Sequence, residues 1–409
     1  MTVKLSDINE ARTILENIIN PTPVLPDARL SREIGANAFL KAECLQKSGS
    51  FKIRGAYNKI HRLSEAEKKR GVVAASAGNH AQGVALAARL HNIKATIVVP
   101  EFAPLTKVNA TKNYGAEVEL HGSTYDEALA YSKELQEKHG YTYVHGFDDE
   151  RIIAGQGTIG MEIVDELPKT NVIVVPIGGG GLMAGIAIAA KNLLPKVRII
   201  GVQSANCAPF KKSIEAGKIV GVKPKPTIAD GIAIKHPGEM TFPIIKKYVD
   251  EIVEVTEEEI ARAIFHCVQN NRLVVEGAGA AGLAAILASK VKLKKDDTVC
   301  AVLCGGNIDA NLLSRVLEHV LVREGRYMML KLLVLDRPGS LAGLLQCAAQ
   351  AGANVIEVYH RRSMWLAPLG HVGIEMLLEV RDEKHGNDVI KHLHDNNYVV
   401  EQQGVGEWQ

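Results

Sequence analysis

Ser48-Gly49-Ser50-Phe51-Lys52-Ile53-Arg54-Gly55-Ala56-Tyr57 sets a lysine between two apolar residues at a point where the chain opens into a helix. Ser50 is placed to cap that helix, Gly49 lets the backbone enter the turn, and Arg54 and Tyr57 fall in the first turns. On spacing alone such a lysine projects into water. Three later stretches change that reading: Ser76-Ala77-Gly78-Asn79-His80, Gly178-Gly179-Gly180-Gly181-Leu182 and Cys304-Gly305-Gly306-Asn307. Each follows a predicted strand, and ligands of open α/β sheets sit beyond the carboxyl ends of strands.

Working outward, a helix over 6–19 is broken by Pro21-Thr22-Pro23, and helix 53–62 is followed by a charged run, Glu65 to Arg70. Strands at 72–76, 95–99, 116–120, 141–147, 171–175, 198–203, 251–255 and 298–304 alternate with helices at 79–90, 104–114, 124–138, 151–166, 256–269 and 277–289. Repeated strand–helix–strand units predict doubly wound α/β architecture. Val172 to Ala190 carries no charge over a length that could span a membrane, but Pro176 and four glycines break it, so it reads as a buried strand, a turn and a helix. After about residue 325 a βαββαβ order predicts a small ferredoxin-like module, with a tight turn and helix cap at Asp336-Arg337-Pro338-Gly339-Ser340. The expected domains are 1–320, a linker at 321–327, and 328–409, with the smaller of two α/β subdomains near 50–150.

At 409 residues, two or three domains are expected. A net charge of +2 with 23% charged residues supplies no basic stripe or acidic tail, so neither nucleic acid nor a membrane is expected as a partner. Six dispersed cysteines without a C-x-x-C pair fit reduced thiols, and Met1 to Asp7 lacks the apolar stretch of a secretory signal, so a cytoplasmic location is expected.

The segment Ser50-Phe51-Lys52-Ile53-Arg54-Gly55-Ala56 resembles the cofactor-lysine motif of pyridoxal-phosphate (PLP) enzymes of the tryptophan-synthase-β fold type (fold type II), in particular the threonine/serine dehydratases. The other three stretches resemble the same family in order and spacing, over about residues 1–320. Leu335-Asp336-Arg337-Pro338-Gly339-Ser340-Leu341 resembles an ACT domain, an amino-acid-sensing module. The resemblance implies deaminating dehydration of L-threonine, and of L-serine, by β-elimination in a homo-oligomer, a dimer or tetramer, with an amino-acid effector at the ACT-like module and a place in isoleucine biosynthesis.

It also implies residue roles. Lys52 would carry PLP and act as the catalytic base, with Phe51 beside it. Gly178, Gly179, Gly180, Gly181 and Leu182 would cradle the phosphate with backbone N–H groups and a helix N-terminus. Asn79, which by position alone reads as a helix cap, would bond the ring hydroxyl. Ser76, Ala77, Gly78, Asn79 and His80 would hold the substrate carboxylate, with no proton transfer by His80. Cys304, by spacing a core cysteine, would face the pyridine nitrogen as a neutral partner.

Departures from the family sharpen these expectations. Ala77 stands where related serine racemases carry a second acid/base serine, so elimination is expected over racemisation. Gln203 to Pro209 holds no carboxylate where those relatives bind a divalent cation, so no metal is expected. Gly179-x-Gly181-x-x-Ala184 fits a dinucleotide fingerprint formally, but the next strand ends at Gln203 and offers no acidic residue for a ribose. The competing readings are a β-replacement enzyme or serine racemase of the same fold and, from another class, a non-catalytic amino-acid sensor.

Overall fold

Val172-Ile173-Val174-Val175-Pro176 is buried at every position, as a strand covered on both faces must be, and it lies inside a six-stranded sheet. The computed structural model describes residues 3–103, 105–361 and 367–402. It divides into two compact units, Met1–Asp309 and Ala310–Gln409.

In the first unit the large sheet runs in the order Val24–Pro26, Asn37–Lys41, Thr298–Val302, Val172–Pro176, Arg198–Ser204, Glu251–Val255. Only the first pair is antiparallel. A second sheet, in the order Glu117–Leu120, Ala95–Val99, Val72–Ala75, Thr142–Tyr143, is wholly parallel. Helices cover both, and each sheet has its own apolar core: Ile173, Val175 and Ile186 belong to one, Val72, Ile97 and Val84 to the other. This is the predicted pair of α/β subdomains, with the uncharged stretch at 172–190 folded as strand and helix. No helix among the described residues is long and apolar enough to cross a membrane.

Local details depart from the sequence reading. The first helix is Leu5–Leu15, stopping short of residue 19 before Asn17 takes a left-handed φ of 62°. The charged run Glu65–Arg70 is itself a helix, set by a capping box between Ser64 and Glu67. The strand expected at 141–147 is limited to Thr142–Tyr143. Helix Glu257–His266 passes into a wider π turn, Cys267–Asn271, ending at a left-handed Arg272. Ser50 does not cap the lysine helix: Phe51 occupies the cap position, and the buried Ser50 hydroxyl has no partner among the described residues.

The second unit begins with helix Ala310–Arg323 and continues as βαββαβ. Its antiparallel sheet has the order Asn354–Arg361, His371–Glu379, Tyr327–Leu335, Val399–Gln402, the split arrangement expected of a ferredoxin-like module. Alternate residues Leu330, Leu332 and Val334 pack with Ile374, Met376 and Leu378 beneath Leu344 and Val389. The cap of helix Ser340–Gln350 is Gly339, at φ 91°, with no side-chain cap.

Candidate active site

Four segments far apart in sequence meet at the carboxyl ends of the two parallel sheets. Backbone bonds stitch the first to the last: Phe51 N donates to Cys304 O at 3.2 Å, Gly306 N to Gly49 O at 2.9 Å, and Ser50 bridges Gly305. Lys52 therefore starts its helix, Lys52–His61, beside the end of strand Thr298–Val302.

The Lys52 ammonium is desolvated. Its Nζ donates to Gly146 O at 2.8 Å and lies 5.1 Å from the centre of the Phe51 ring. Burial pulls its pKa down to about 8, although the Glu276 charge acts in the opposite direction. Cys304 is buried; its thiol donates to Ala278 O at 3.6 Å, and burial followed by the Glu276 charge pushes its pKa well above the usual thiol range, so the sulfur stays neutral.

Strand Val72–Ala75 delivers the second segment. Ser76 N donates to Val98 O, Gly78 N to Ser76 Oγ, and open space lies where a Gly78 side chain would be. Ala77 is half-buried. Gly78 is the cap position of helix Asn79–Leu90, so Asn79 does not cap it. Its side chain is engaged elsewhere: Asn79 Nδ2 donates to Glu276 Oε1 at 2.5 Å, and Asn79 Oδ1 accepts from Asn307 Nδ2 at 2.7 Å. His80 Nε2 donates to Val144 O at 2.8 Å; burial, then the Lys52 charge, lowers its pKa to about 3, leaving a neutral ring with its proton already committed.

The glycine run follows strand Val172–Pro176 and opens helix Gly181–Leu193. A β-carbon on Gly179 would lie 2.3 Å from the Phe147 ring, and Gly180 holds φ 96° with Phe210 and Thr241 closing in. Only glycine fits this path, which leaves bare backbone at a helix N-terminus. Leu182 is buried behind it. Gln203, near the end of the neighbouring strand Arg198–Ser204, is fully buried; its amide donates to Ile177 O at 3.4 Å and accepts from Lys211 N at 3.1 Å. Among the described residues no cluster of three or more His, Cys, Asp or Glu side chains could hold a metal.

Glu276 and Gly146 are members of this constellation that the sequence reading missed. Burial, then the Asp230 charge, pushes the Glu276 carboxyl up to about 7. The available signal was one acid directly before the wholly apolar helix Gly277–Leu287.

A desolvated amine of lowered pKa, a bare-backbone loop at a helix N-terminus and a neutral thiol constitute a donor set that fits a phosphorylated aldehyde cofactor. Residues 15–305 match the family described as pyridoxal-phosphate dependent enzyme, and the chain belongs to that family. It is 50% identical over 399 residues to the L-threonine ammonia-lyase of Thermotoga maritima, covering 97% of this chain and 99% of that one. Two solved structures resemble it: maize serine racemase, TM-score 0.74 at 34% identity, covering 79% of this chain and 99% of that one, and the processed threonine deaminase isoform 2 of Solanum lycopersicum, TM-score 0.73 at 38% identity, covering 77% and 91%.

Proposed function

We propose that the chain catalyses the deaminating dehydration of L-threonine to 2-oxobutanoate and ammonia, and of L-serine to pyruvate. The observation that carries this reading is Lys52: a desolvated amine that donates, among the described residues, to one carbonyl, with a pKa lowered to about 8. Similarity to the Thermotoga maritima L-threonine ammonia-lyase over nearly both full lengths supports the substrate assignment.

In this reading Lys52 would carry PLP, with Phe51 beside it; Gly178 to Leu182 would hold the phosphate, Asn79 the ring oxygen, and Cys304 would be the neutral partner of the ring nitrogen. PLP supplies, when bound, an aldehyde that condenses with an amino group and a conjugated system that withdraws electrons from Cα. The loop Ser76 to His80 holds the substrate carboxylate, with the Gly78 backbone open to it. Lys52 Nζ takes the Cα proton as general base. His80, neutral and donating to Val144 O, orients the loop and moves no proton. The neutral Cys304 thiol supplies no negative charge to hold a protonated ring nitrogen, which favours loss of the β-hydroxyl over reprotonation elsewhere. Ala77 offers no hydroxyl for a second acid/base group, which favours elimination over racemisation.

The wider reading is a cytoplasmic homo-oligomer in isoleucine biosynthesis. Residues 1–320 form the catalytic domain and 328–409 an ACT-like module that binds an amino acid such as isoleucine or valine. The βαββαβ order of the second unit supports the module assignment.

The test is the visible spectrum of the purified protein, then a 2-oxo acid assay with L-threonine, L-serine and D-serine, using Lys52→Ala as control. A yellow protein that forms 2-oxobutanoate, with both signals lost in Lys52→Ala, is expected. A yellow protein that interconverts serine enantiomers, or needs a thiol acceptor, would move the assignment to a racemase or a β-replacement enzyme. A colourless protein that cannot be reconstituted would leave an amino-acid sensor.

A further inference from the structure

Asn79 is held at both ends of its amide, and the direction of each bond can be read. Asn307 Nδ2 lies 2.8 Å from Ser48 O and 2.7 Å from Asn79 Oδ1. A backbone carbonyl only accepts, so the group of Asn307 facing Ser48 must be its NH2; that assigns the amide without ambiguity. The same NH2 then faces Asn79, which must answer with oxygen. The NH2 of Asn79 is thereby turned to Glu276 Oε1, an acceptor when ionised and through its carbonyl oxygen when protonated. The chain of bonds runs one way, from Asn307 through Asn79 to Glu276, with Ser48 as the anchor.

The packing leaves this arrangement little freedom. A β-carbon on Gly49, which already holds φ 69°, would lie 2.3 Å from Asn307 Oδ1. One on Gly305 would lie 2.3 Å from Glu276 Oε1 and 3.1 Å from Asn79 Nδ2. The main chain of Glu276 is fixed as well, its N–H donating to Gly305 O at 3.0 Å. Among the described residues Asn79 Nδ2 has one further hydrogen without a partner.

We propose that Asn307 and Glu276 are positioning residues that lock the Asn79 amide with its spare N–H on offer, so that the site presents to the cofactor's ring oxygen a donor and favours its ionised form. This rests on the reading of the site as a PLP site. An unlocked asparagine could turn over and present its oxygen instead, at no covalent cost. The clamp makes that reversal expensive, because an inverted Asn79 would set its NH2 against the NH2 of Asn307 and its oxygen against the Glu276 carboxyl.

The reporter is the bound cofactor's spectrum, titrated with pH, together with its dissociation constant measured on the purified holoenzyme after dialysis. Asn307→Asp is the decisive variant. It keeps the size of the side chain but sets an acceptor against Asn79 Oδ1, so the amide inverts. The expected result is a pH midpoint for the long-wavelength band displaced upward, and cofactor binding weakened by about tenfold to a hundredfold. Glu276→Leu removes the other end and weakens cofactor binding in the same way; because it also removes a negative charge that favours the protonated form, its readout is affinity and not the midpoint. Glu276→Gln, whose amide oxygen still accepts from Asn79 Nδ2, restores cofactor affinity close to wild type. Rescue by Gln separates positioning from mere packing, and if Glu276→Leu does not fold, the Asn307→Asp and Glu276→Gln pair carries the test. Wild-type spectra and affinities in Asn307→Asp, measured beside an Asn79→Ala variant that has lost them, would overturn the clamp. A colourless wild-type protein would overturn the PLP reading and the clamp with it.

Discussion

Lys52 and Arg54 sit two residues apart on one helix, both charges withdrawn from water, and the chain treats them in opposite ways. Arg54 is enclosed by carboxylates. Its Nη2 lies 2.7 Å from Glu43 Oε1 and 2.9 Å from Glu162 Oε2, its Nε 2.8 Å from Glu43 Oε2, and its Nη1 donates to Thr158 Oγ1 at 3.0 Å and to Glu162. Burial alone would lower its pKa, but Glu43 and Glu162 more than reverse that effect. The network continues through the buried Lys41, whose Nζ meets Glu162 at 2.8 Å, Glu166 at 3.2 Å and Thr22 O at 2.6 Å. Among the described residues Lys52 has a single carbonyl partner, and its pKa is lowered to about 8. Burial penalises both cations; the supply of counter-charge decides which is a permanent ion and which can shed its proton.

The sharpest way to break the comparison is to remove the amine that is free to react. Lys52→Ala takes away the group that carries the cofactor and moves the Cα proton. Turnover of L-threonine at saturating PLP should fall on the order of 10⁴-fold. Residual activity within tenfold of wild type would show that Lys52 is not the base.

The other side is broken through stability. Arg54→Met leaves Glu43 and Glu162 facing each other without their shared cation, and Glu162→Gln strips both Arg54 and Lys41 of a partner. Removing one member of a buried pair costs about 3–5 kcal/mol, so the urea midpoint should fall clearly for each. The double variant Arg54→Met/Glu43→Gln should lose less than the sum of its singles, because it removes charge from both sides. Strict additivity would mean that the cluster is not a coupled unit.

How far the sequence discloses this contrast depends on the kind of signal. The sheets were legible because runs such as Val172 to Val175 are apolar throughout, and the glycine run because four consecutive glycines after a strand have few alternative uses. Ser50 was misread as a cap because a serine before a helix is ordinarily one, and nothing local announces that Phe51 takes the cap position. Helix Glu65–Arg70 was legible in principle through Ser64 and Glu67, yet with Ala66 as its one apolar residue it shows no helical periodicity. Glu276 could not be placed from sequence: its meaning lies in Asn79, 197 positions away, which only the fold brings near. The same holds for Arg54, whose partner Glu162 lies 108 positions downstream.

A third buried ion lies between the two extremes. Asp27 accepts from His266 at 2.7 Å, from Asn271 at 3.1 Å and from Leu30 N at 2.9 Å. Burial opposes its charge, yet these bonds hold its pKa down at about 2 against an ordinary 3.8. A carboxyl lowered on folding contributes stability that is fully present above pH 3.8 and lost as pH falls through about 2. That contribution amounts to about 2 kcal/mol. Asp27→Asn should therefore flatten the acid limb of the stability–pH curve while lowering stability at pH 7; an unchanged acid limb would place the titration elsewhere.

The smallest effect refines the Lys52 side itself. In the cofactor-free protein the free-amine fraction of Lys52, read by its rate of reaction with an aldehyde, should rise with a midpoint at about pH 8. Because its folded pKa is lowered, the unfolded chain binds the extra proton between about 8 and 10.5, so Lys52 also makes stability rise with pH across that window and not below it. Glu276, with a pKa raised to about 7, is ionised where Lys52 titrates, and its negative charge holds part of the lysine proton in place. Glu276→Gln keeps the bond to Asn79 but removes that charge, so the Lys52 midpoint should move further down. An upward move would mean that the carboxyl acts on Lys52 by something other than its charge. No movement would mean that desolvation alone sets the amine apart from Arg54, and that the Glu276 carboxylate serves Asn79 alone.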